Sequence, residues 1–424
     1  MLRLLQTAAI CIAIGLPTGA SAQTLPSGID AVPRLTGPSF LSMGAEEPEE
    51  ESPLAGPPWW SITDWSKERK LVALNAATVG AIAAIGFIGW DYGSHSFRTA
   101  NEGWFDPDTR YGGADKLQVR TVPRPTPAAG QVLVRVRAAG VNDWDWGLIT
   151  GVPRISRLFQ GLSRPRRTIL GLDVAGEVTD VAPGVTRFRR GDRVLGDLSS
   201  HGFGGFAEFV ATDDRAFTRM PDTMSFTDAA ALPHAANLAL QALTLADFKP
   251  HDRLLINGAG GGVGSLAVQI ATHRGVTDIV GVDHASKLDF LRELGFARAL
   301  DYTVTDFTRL PEKFDVVIDA KSTRSPSSYA RVLAPGGRYV TVGGNAGSLL
   351  GLAVWGRLVG RRTGTRLSLV MLKANVEMDA VVELYNSGVL RPRIDSVRPL
   401  AQIADAMARF GRGEHRGKVV VEID

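Results

Sequence analysis

A short apolar run, Leu254-Leu255-Ile256, passes straight into Asn257-Gly258-Ala259-Gly260-Gly261-Gly262-Val263-Gly264, and a helix-like stretch follows over residues 265–272. No other feature narrows the fold as far. A strand that is apolar at every position is buried on both faces, as a central strand of a parallel sheet is. A loop from such a strand into a helix gathers backbone N–H groups and the positive helix end at one point, where a pyrophosphate can bind. Aligned on its last four residues, the loop reads Ala259-x-Gly261-x-x-Gly264, with Ala259 in place of the first glycine of the dinucleotide fingerprint. Taken alone it reads equally as a tight turn, so the surrounding order decides.

That order continues. Ile279-Val280-Gly281-Val282 is a second strand, ending at Asp283, nineteen residues past Gly264. An acidic side chain there accepts both hydroxyls of an adenosine ribose and repels a 2′-phosphate, favouring NAD over NADP. Lys287 works against that preference, because a cation near the ribose tolerates the phosphate. The expected cofactor is therefore NAD(P)H, with NADH favoured. Asp315-Val316-Val317-Ile318-Asp319 and Arg338-Tyr339-Val340-Thr341-Val342-Gly343-Gly344 read as later strands with helices between them. This alternation gives an α/β fold with a doubly wound parallel sheet. Ala259, Gly260, Gly261, Gly262, Val263 and Gly264 are the expected phosphate cradle, Asp283 and Lys287 the ribose readers, and Tyr302 and Gly343 the lining of the groove.

Upstream the period changes. Gln131-Val132-Leu133-Val134-Arg135-Val136-Arg137 puts Val on alternate positions, a half-buried strand. Residues 171–180, Gly191-Asp192-Arg193-Val194 and Gly205-Phe206-Ala207-Glu208-Phe209-Val210 add short strands with glycine punctuation, so this part is a β-rich module.

The first hundred residues read differently. Arg3, an uncharged run over residues 4–16 and Ala20-Ser21-Ala22 follow the order of a cleaved secretory signal over residues 1–22. Residues 23–70 are a linker, rich in Pro, Gly and Ser, with the acidic knot Glu46-Glu47-Pro48-Glu49-Glu50-Glu51. Residues 71–90 carry no charge and have the length of a transmembrane helix, although the Ala- and Gly-rich composition also fits a buried soluble helix. Lys67, Arg69 and Lys70 place the preceding side in the cytoplasm by the positive-inside rule, whereas a cleaved signal places it outside. Localisation is thus expected at a membrane or in the envelope, with the nucleotide-binding body on the cytoplasmic side where its cofactor is available. The 47 basic and 44 acidic residues nearly cancel to +3, which gives no basic footprint for nucleic acid.

Residues 111–424 resemble the medium-chain dehydrogenase/reductase superfamily, in its zinc-independent quinone oxidoreductase and enoyl reductase-like branch. The resemblance is carried by Val122-Pro123-Arg124-Pro125, Gly140-Val141-Asn142 with Asp145-Trp146, Gly191-Asp192-Arg193-Val194, Ala229-Ala230-Ala231-Leu232-Pro233, Leu240-Gln241-Ala242-Leu243, the glycine loop, and Arg416-Gly417-Lys418-Val419-Val420. It implies a GroES-like catalytic domain over 111–240, a Rossmann domain over 241–370 and a return to the catalytic domain over 371–424. It also implies a homodimer. Separately, Asn101-Glu102-Gly103-Trp104-Phe105 through Tyr111-Gly112-Gly113-Ala114-Asp115-Lys116, which overlaps the connector over 91–110, is similar to a family of uncharacterised predicted periplasmic proteins. That match ends there, as a recombination joint between two reading frames would, and carries no function.

The same resemblance bears on chemistry. Asn142 stands where zinc-dependent members have their first cysteine, and Leu172 where they have a histidine. The one cysteine, Cys11, lies in the signal-like run, so a catalytic zinc is not expected. Without a Lewis acid, the implied reaction is hydride transfer from NAD(P)H to a small-molecule activated alkene, quinone or related carbonyl compound. Asn142 is the candidate catalytic residue, with a turn-closing role as the alternative, and Lys418 stands where some relatives have a basic phosphate contact. Leu238 replaces a more usual threonine near the nicotinamide, and Ala320-Lys321-Ser322 a more usual glycine turn. His234, after Leu232-Pro233, reads as structural. Residues 349–358, with Arg357, Arg361 and Arg362, read as a membrane-surface segment, a dimer contact or a lid. The rival to a reductase is a membrane-anchored nucleotide-binding protein with little catalysis.

Overall fold

The computed structural model describes Trp104–Phe105 and residues 110–424. The expected signal, linker and membrane segment over 1–90, and most of the connector over 91–110, lie outside the described residues. Among the described residues no helix is long and apolar enough to cross a membrane.

An antiparallel pair, β1 (Trp104–Phe105) and β2 (Leu117–Gln118), precedes the main body. The valine alternation becomes β3 (Gln131–Gly140), in which Val132, Val134 and Val136 are fully buried and Arg135 and Arg137 half-buried. It is followed by β4 (Asp173–Val181), β5 (Arg193–Asp197), β6 (Phe209–Asp213) and β7 (Thr218–Arg219). The strand expected over 205–210 starts late. Gly205 and Phe206 first donate their N–H groups to Gly171 and Leu170, both at 2.9 Å, and the Phe206 ring enters the core, so pairing with β3 begins only at Phe209.

The second sheet is parallel throughout. It comprises β8 (Leu254–Asn257), β9 (Ile279–Asp283), β10 (Arg298–Asp301), β11 (Phe314–Asp319), β12 (Leu333–Thr341) and β13 (Arg366–Leu369), in the order β10-β9-β8-β11-β12-β13. Leu254, Leu255 and Ile256 are completely buried, as a central strand requires. The order reverses between β8 and β11, and in such sheets ligands bind in the crevice beyond the strand ends at that point.

The chain then returns. β14 (Ile394–Pro399) and β15 (Lys418–Glu422) join the first sheet, giving β14-β15-β3-β4-β5-β7 with β6 also paired to β3. One apolar cluster runs from Ala138, Ala175 and Leu195 of this sheet, through the helix Pro233–Ala246, to Ile256 and Val316 of the other. The two sheets are therefore joined by shared core as well as by chain. Residues 349–358 lie within the helix Ala346–Thr363, which buries Ser348, Leu352, Gly356 and Gly360 and exposes Leu350, Trp355 and Leu358.

Candidate active site

The glycine loop leaves β8 at the reversal point. Gly258 takes a left-handed backbone, φ +76°, and this is why alanine is tolerated next: Ala259 is completely buried and has no positive φ to bear. Gly264 is required for a different reason. A Cβ there would stand 2.5 Å from Ala259 Cα and 2.6 Å from Gly258 O, so only glycine lets the helix Gly262–His273 come this close to the strand end. Gly262, Val263 and Gly264 occupy the first turn, where N–H groups have no partner within the helix. Free N–H groups at a helix start can hold an anion.

The loop is braced from β9. Asp283 Oδ2 accepts from Gly260 N at 2.8 Å, and its Oδ1 accepts from His284 N at 2.8 Å. Lys287 Nζ lies 3.6 Å from Oδ1, and both side chains are less than a tenth exposed. Burial depresses the Lys287 pKa, with the Asp283 charge opposing that shift. The two expected ribose readers are thus brought together, and Asp283 also holds the loop. Tyr302 donates its backbone N–H to Asp283 O and leaves its ring half-exposed, 6.0 Å from the His284 ring.

Across the reversal point, buried Asp319 ends β11. It accepts from Asn257 Nδ2, Lys321 N and Tyr339 Oη, each at 2.8 Å. Gly343 closes this side, its carbonyl accepting from Ser322 N and from Thr341 Oγ1. Lys321, from the turn that departs from the usual glycine pattern, pairs with Asp143, at the start of the helix Asp143–Thr150, at 3.0 Å. Leu238 is nearly buried in the helix Pro233–Ala246.

A second constellation is assembled on the first sheet. Asn142 precedes the helix Asp143–Thr150 and is 6% exposed. Its Nδ2 donates to Gly140 O at 3.1 Å and to Asp173 Oδ2 at 2.9 Å, and its Oδ1 accepts from Lys418 Nζ at 2.7 Å. Lys418 Nζ also donates to Asp173 Oδ2. Lys418, expected at a phosphate, instead passes beneath Gly262 into this buried node, so close that a Cβ on Gly262 would stand 2.7 Å from its Cδ. Asp145 accepts from Asn142 N and Gly171 N, and burial, against those two hydrogen bonds, pushes its carboxyl up to about 7.

Sequence reasoning overlooked the hub of this node. Asp173 has no exposure, and its Oδ1 accepts from His234 N at 2.8 Å. Its only signal in the sequence was its place directly after Leu172. The buried pair His234 Nδ1 to Asp197 Oδ2, at 2.8 Å, was likewise not foreseen.

Two domain families match the chain: alcohol dehydrogenase GroES-like domain over residues 128–222 and zinc-binding dehydrogenase over residues 294–421. The chloroplast envelope quinone oxidoreductase homolog of Arabidopsis thaliana is 32% identical over 323 residues, covering 73% of this chain and 95% of that protein. The 2-methylene-furan-3-one reductase of Solanum lycopersicum is 31% identical over 323 residues, 74% of this chain and 77% of that protein. Among solved structures, the quinone oxidoreductase from Coxiella burnetii superposes with a TM-score of 0.68 at 27% identity, covering 77% of this chain and all of that one.

Proposed function

The chain belongs to the medium-chain dehydrogenase/reductase superfamily, as an NAD(P)-dependent reductase, and from that membership we propose a zinc-free enzyme that reduces an activated alkene, a quinone or a related conjugated carbonyl compound. The observation that carries this reading is the buried Asn142, Asp173 and Lys418 node. Zinc does not fit these residues. Leu172 offers no donor atom, Asn142 Oδ1 already accepts from the Lys418 ammonium at 2.7 Å, and that fixed cation opposes a dication. A substrate reduced without a Lewis acid must spread the incoming charge itself, as a conjugated carbonyl does. The names of the relatives, a furanone reductase and quinone oxidoreductases, point the same way.

The nucleotide fits the other half of the site. When bound, NAD(P)H supplies a hydride. The first-turn N–H groups of Gly262, Val263 and Gly264 would take the pyrophosphate, Asp283 and Lys287 would face the adenosine ribose, and Tyr302 and Gly343 would line the groove. Asn142 and Lys418 act in this reading as positioning residues, because both N–H donors of Asn142 and two of the three on the Lys418 ammonium are committed inside the node.

The test is oxidation of NADH and NADPH by purified protein with a panel of quinones and enones, before and after dialysis against a strong chelator. Turnover that survives the chelator supports the reading. Tight nucleotide binding without turnover on any acceptor overturns it, and turnover abolished by the chelator and restored by zinc overturns its metal-free part.

A further inference from the structure

We propose that His234 is the proton donor of this reaction, its imidazole held by Asp197 at Nδ1 so that Nε2 serves the acceptor. The proposal rests on the reductase reading above.

Position is the first argument. His234 is the second residue of the helix Pro233–Ala246 and is 5% exposed. Its backbone N–H donates to Asp173 Oδ1, while the other oxygen of that carboxylate holds Asn142 and Lys418. One residue further, Ala235 Cβ lies 3.4 Å from where a Cβ on Gly262 would stand. His234 thus lies between the buried Asp173 node and the first turn of the glycine helix.

Orientation is the second. Asp197 is completely buried and cannot swing: Oδ1 accepts from Ser199 N at 2.7 Å, and its backbone exchanges two 2.8 Å hydrogen bonds with the Asn375 side chain. Its Oδ2 therefore fixes Nδ1 of the imidazole. Among the described residues nothing hydrogen-bonds to Nε2, and this atom is not sealed among the buried unpartnered ones. The imidazole is tied at one nitrogen and open at the other, as a general acid with an orienting carboxylate is.

Charge is the third. The groups facing the imidazole are Asp197 of β5, Asp173 of β4 and Lys418 of β15. Burial and the Lys418 charge disfavour protonation, but the Asp197 charge and hydrogen bond, helped by Asp173, outweigh them and hold the His234 pKa above its ordinary value. Asp197 in turn is driven up by burial and more strongly down by His234 and by the hydrogen bonds from Ser199. The buried Asp197 carboxylate thus favours the protonated ring beyond what a free imidazole shows. As the acceptor gains the hydride, the electron pair of its double bond moves to oxygen, the Nε2–H bond breaks, and the proton passes to that oxygen. A quinone leaves as its hydroquinone and an enone as its enol, and the neutral imidazole regains a proton from water.

The experiment combines kinetics with a readout independent of turnover. In histidine-labelled protein, NMR is expected to show the His234 imidazole titrating above the ordinary range near 6.5, falling in Asp197→Asn, with its Nε2 signal moving on addition of a quinone to the nucleotide complex. His234→Gln is expected to lower kcat roughly 10²-fold, leave the nucleotide Kd unchanged and abolish the loss of kcat as pH rises through the imidazole pKa. Should His234→Gln fail to fold, Asp197→Asn must move that limb to lower pH. An Nε2 signal unmoved by the acceptor, a kcat within about twofold of wild type in His234→Gln, or an unshifted limb in Asp197→Asn overturns the proposal. If the wild type turns over no acceptor, the reductase reading fails, and the response of the Nε2 signal still decides whether His234 faces the acceptor.

Discussion

Lys418 and Asp173 form a buried ion pair, Nζ to Oδ2 at 2.9 Å, between residues 245 apart in the chain. The pair ties β15 to β4 beneath the glycine loop. Removing one partner from such a pair leaves a charge with no compensation, a loss of about 3–5 kcal/mol, whereas removing both costs much less. Lys418→Met is therefore expected to lower the urea midpoint strongly, and adding Asp173→Asn to recover most of it. A single variant as stable as wild type would show that the pair is not sealed from water.

Two loop glycines separate packing from ligand approach. Gly264→Ala puts a methyl 2.5 Å from Ala259 Cα, so both stability, by about 1–3 kcal/mol, and nucleotide affinity are expected to fall. Gly261→Ala meets nothing nearer than Gly258 O at 3.5 Å and has an ordinary φ of −86°. It should melt as wild type does and yet bind nucleotide less tightly, because in the proposed site its methyl would stand where the pyrophosphate approaches the backbone. Thermal melts and nicotinamide fluorescence titrations check both halves.

Asp283 serves two ends at once, and Asp283→Asn separates them. The amide oxygen can still accept from Gly260 N, so the loop should hold, while the negative charge proposed to face the ribose is lost. The ratio of NADH to NADPH affinity is expected to move about tenfold toward NADPH, equivalent to roughly 1.4 kcal/mol. Lys287→Met should move it the other way. Paired Kd measurements on the two variants are the check, and ratios equal to wild type would remove both residues from cofactor choice.

His415 makes acid stability legible in a single group. It is stacked on Phe410 with ring centroids 4.5 Å apart, its Nδ1 has no partner among the described residues, and burial, aided by the Lys287 charge, brings its pKa down to about 4. An unfolded histidine titrates near 6.5, so below that pH the unfolded chain binds a proton that the folded one refuses. The contribution of His415 to stability is whole above pH 6.5 and is lost as pH falls toward 4, on the order of 3 kcal/mol in total. His415→Phe should be more stable than wild type at pH 5, with the difference shrinking at pH 8, as read by urea unfolding at both.

The contrast between β8 and the Asp173 hub shows what was legible in the sequence. The strand, the glycine loop and the helix lie within twenty residues, so period and composition revealed them together, and the position of Asp283 followed from spacing alone. Asp173, His234 and Asp197 come from β4, a helix start and β5, with bonds spanning 61 and 37 residues. No local pattern marks such a set. Lys418 was found by position but not by direction, since only packing beneath Gly262 shows its ammonium turning toward Asp173. The late start of β6 has the same origin, a close approach of Gly205 to Gly171 that no alternation in residues 205–210 records.

The place of β15 has a consequence for how the protein is made. It lies between β14 and β3, and beside it Gly417 N donates to Gly260 O at 2.8 Å. A ribosome that has finished the glycine loop, and even the entire parallel sheet, has still not supplied Lys418 to Asp173 or Gly417 to the loop. The growing chain can present a nucleotide fold long before it owns a complete reaction site, and competence arrives only when the residues of β15 emerge.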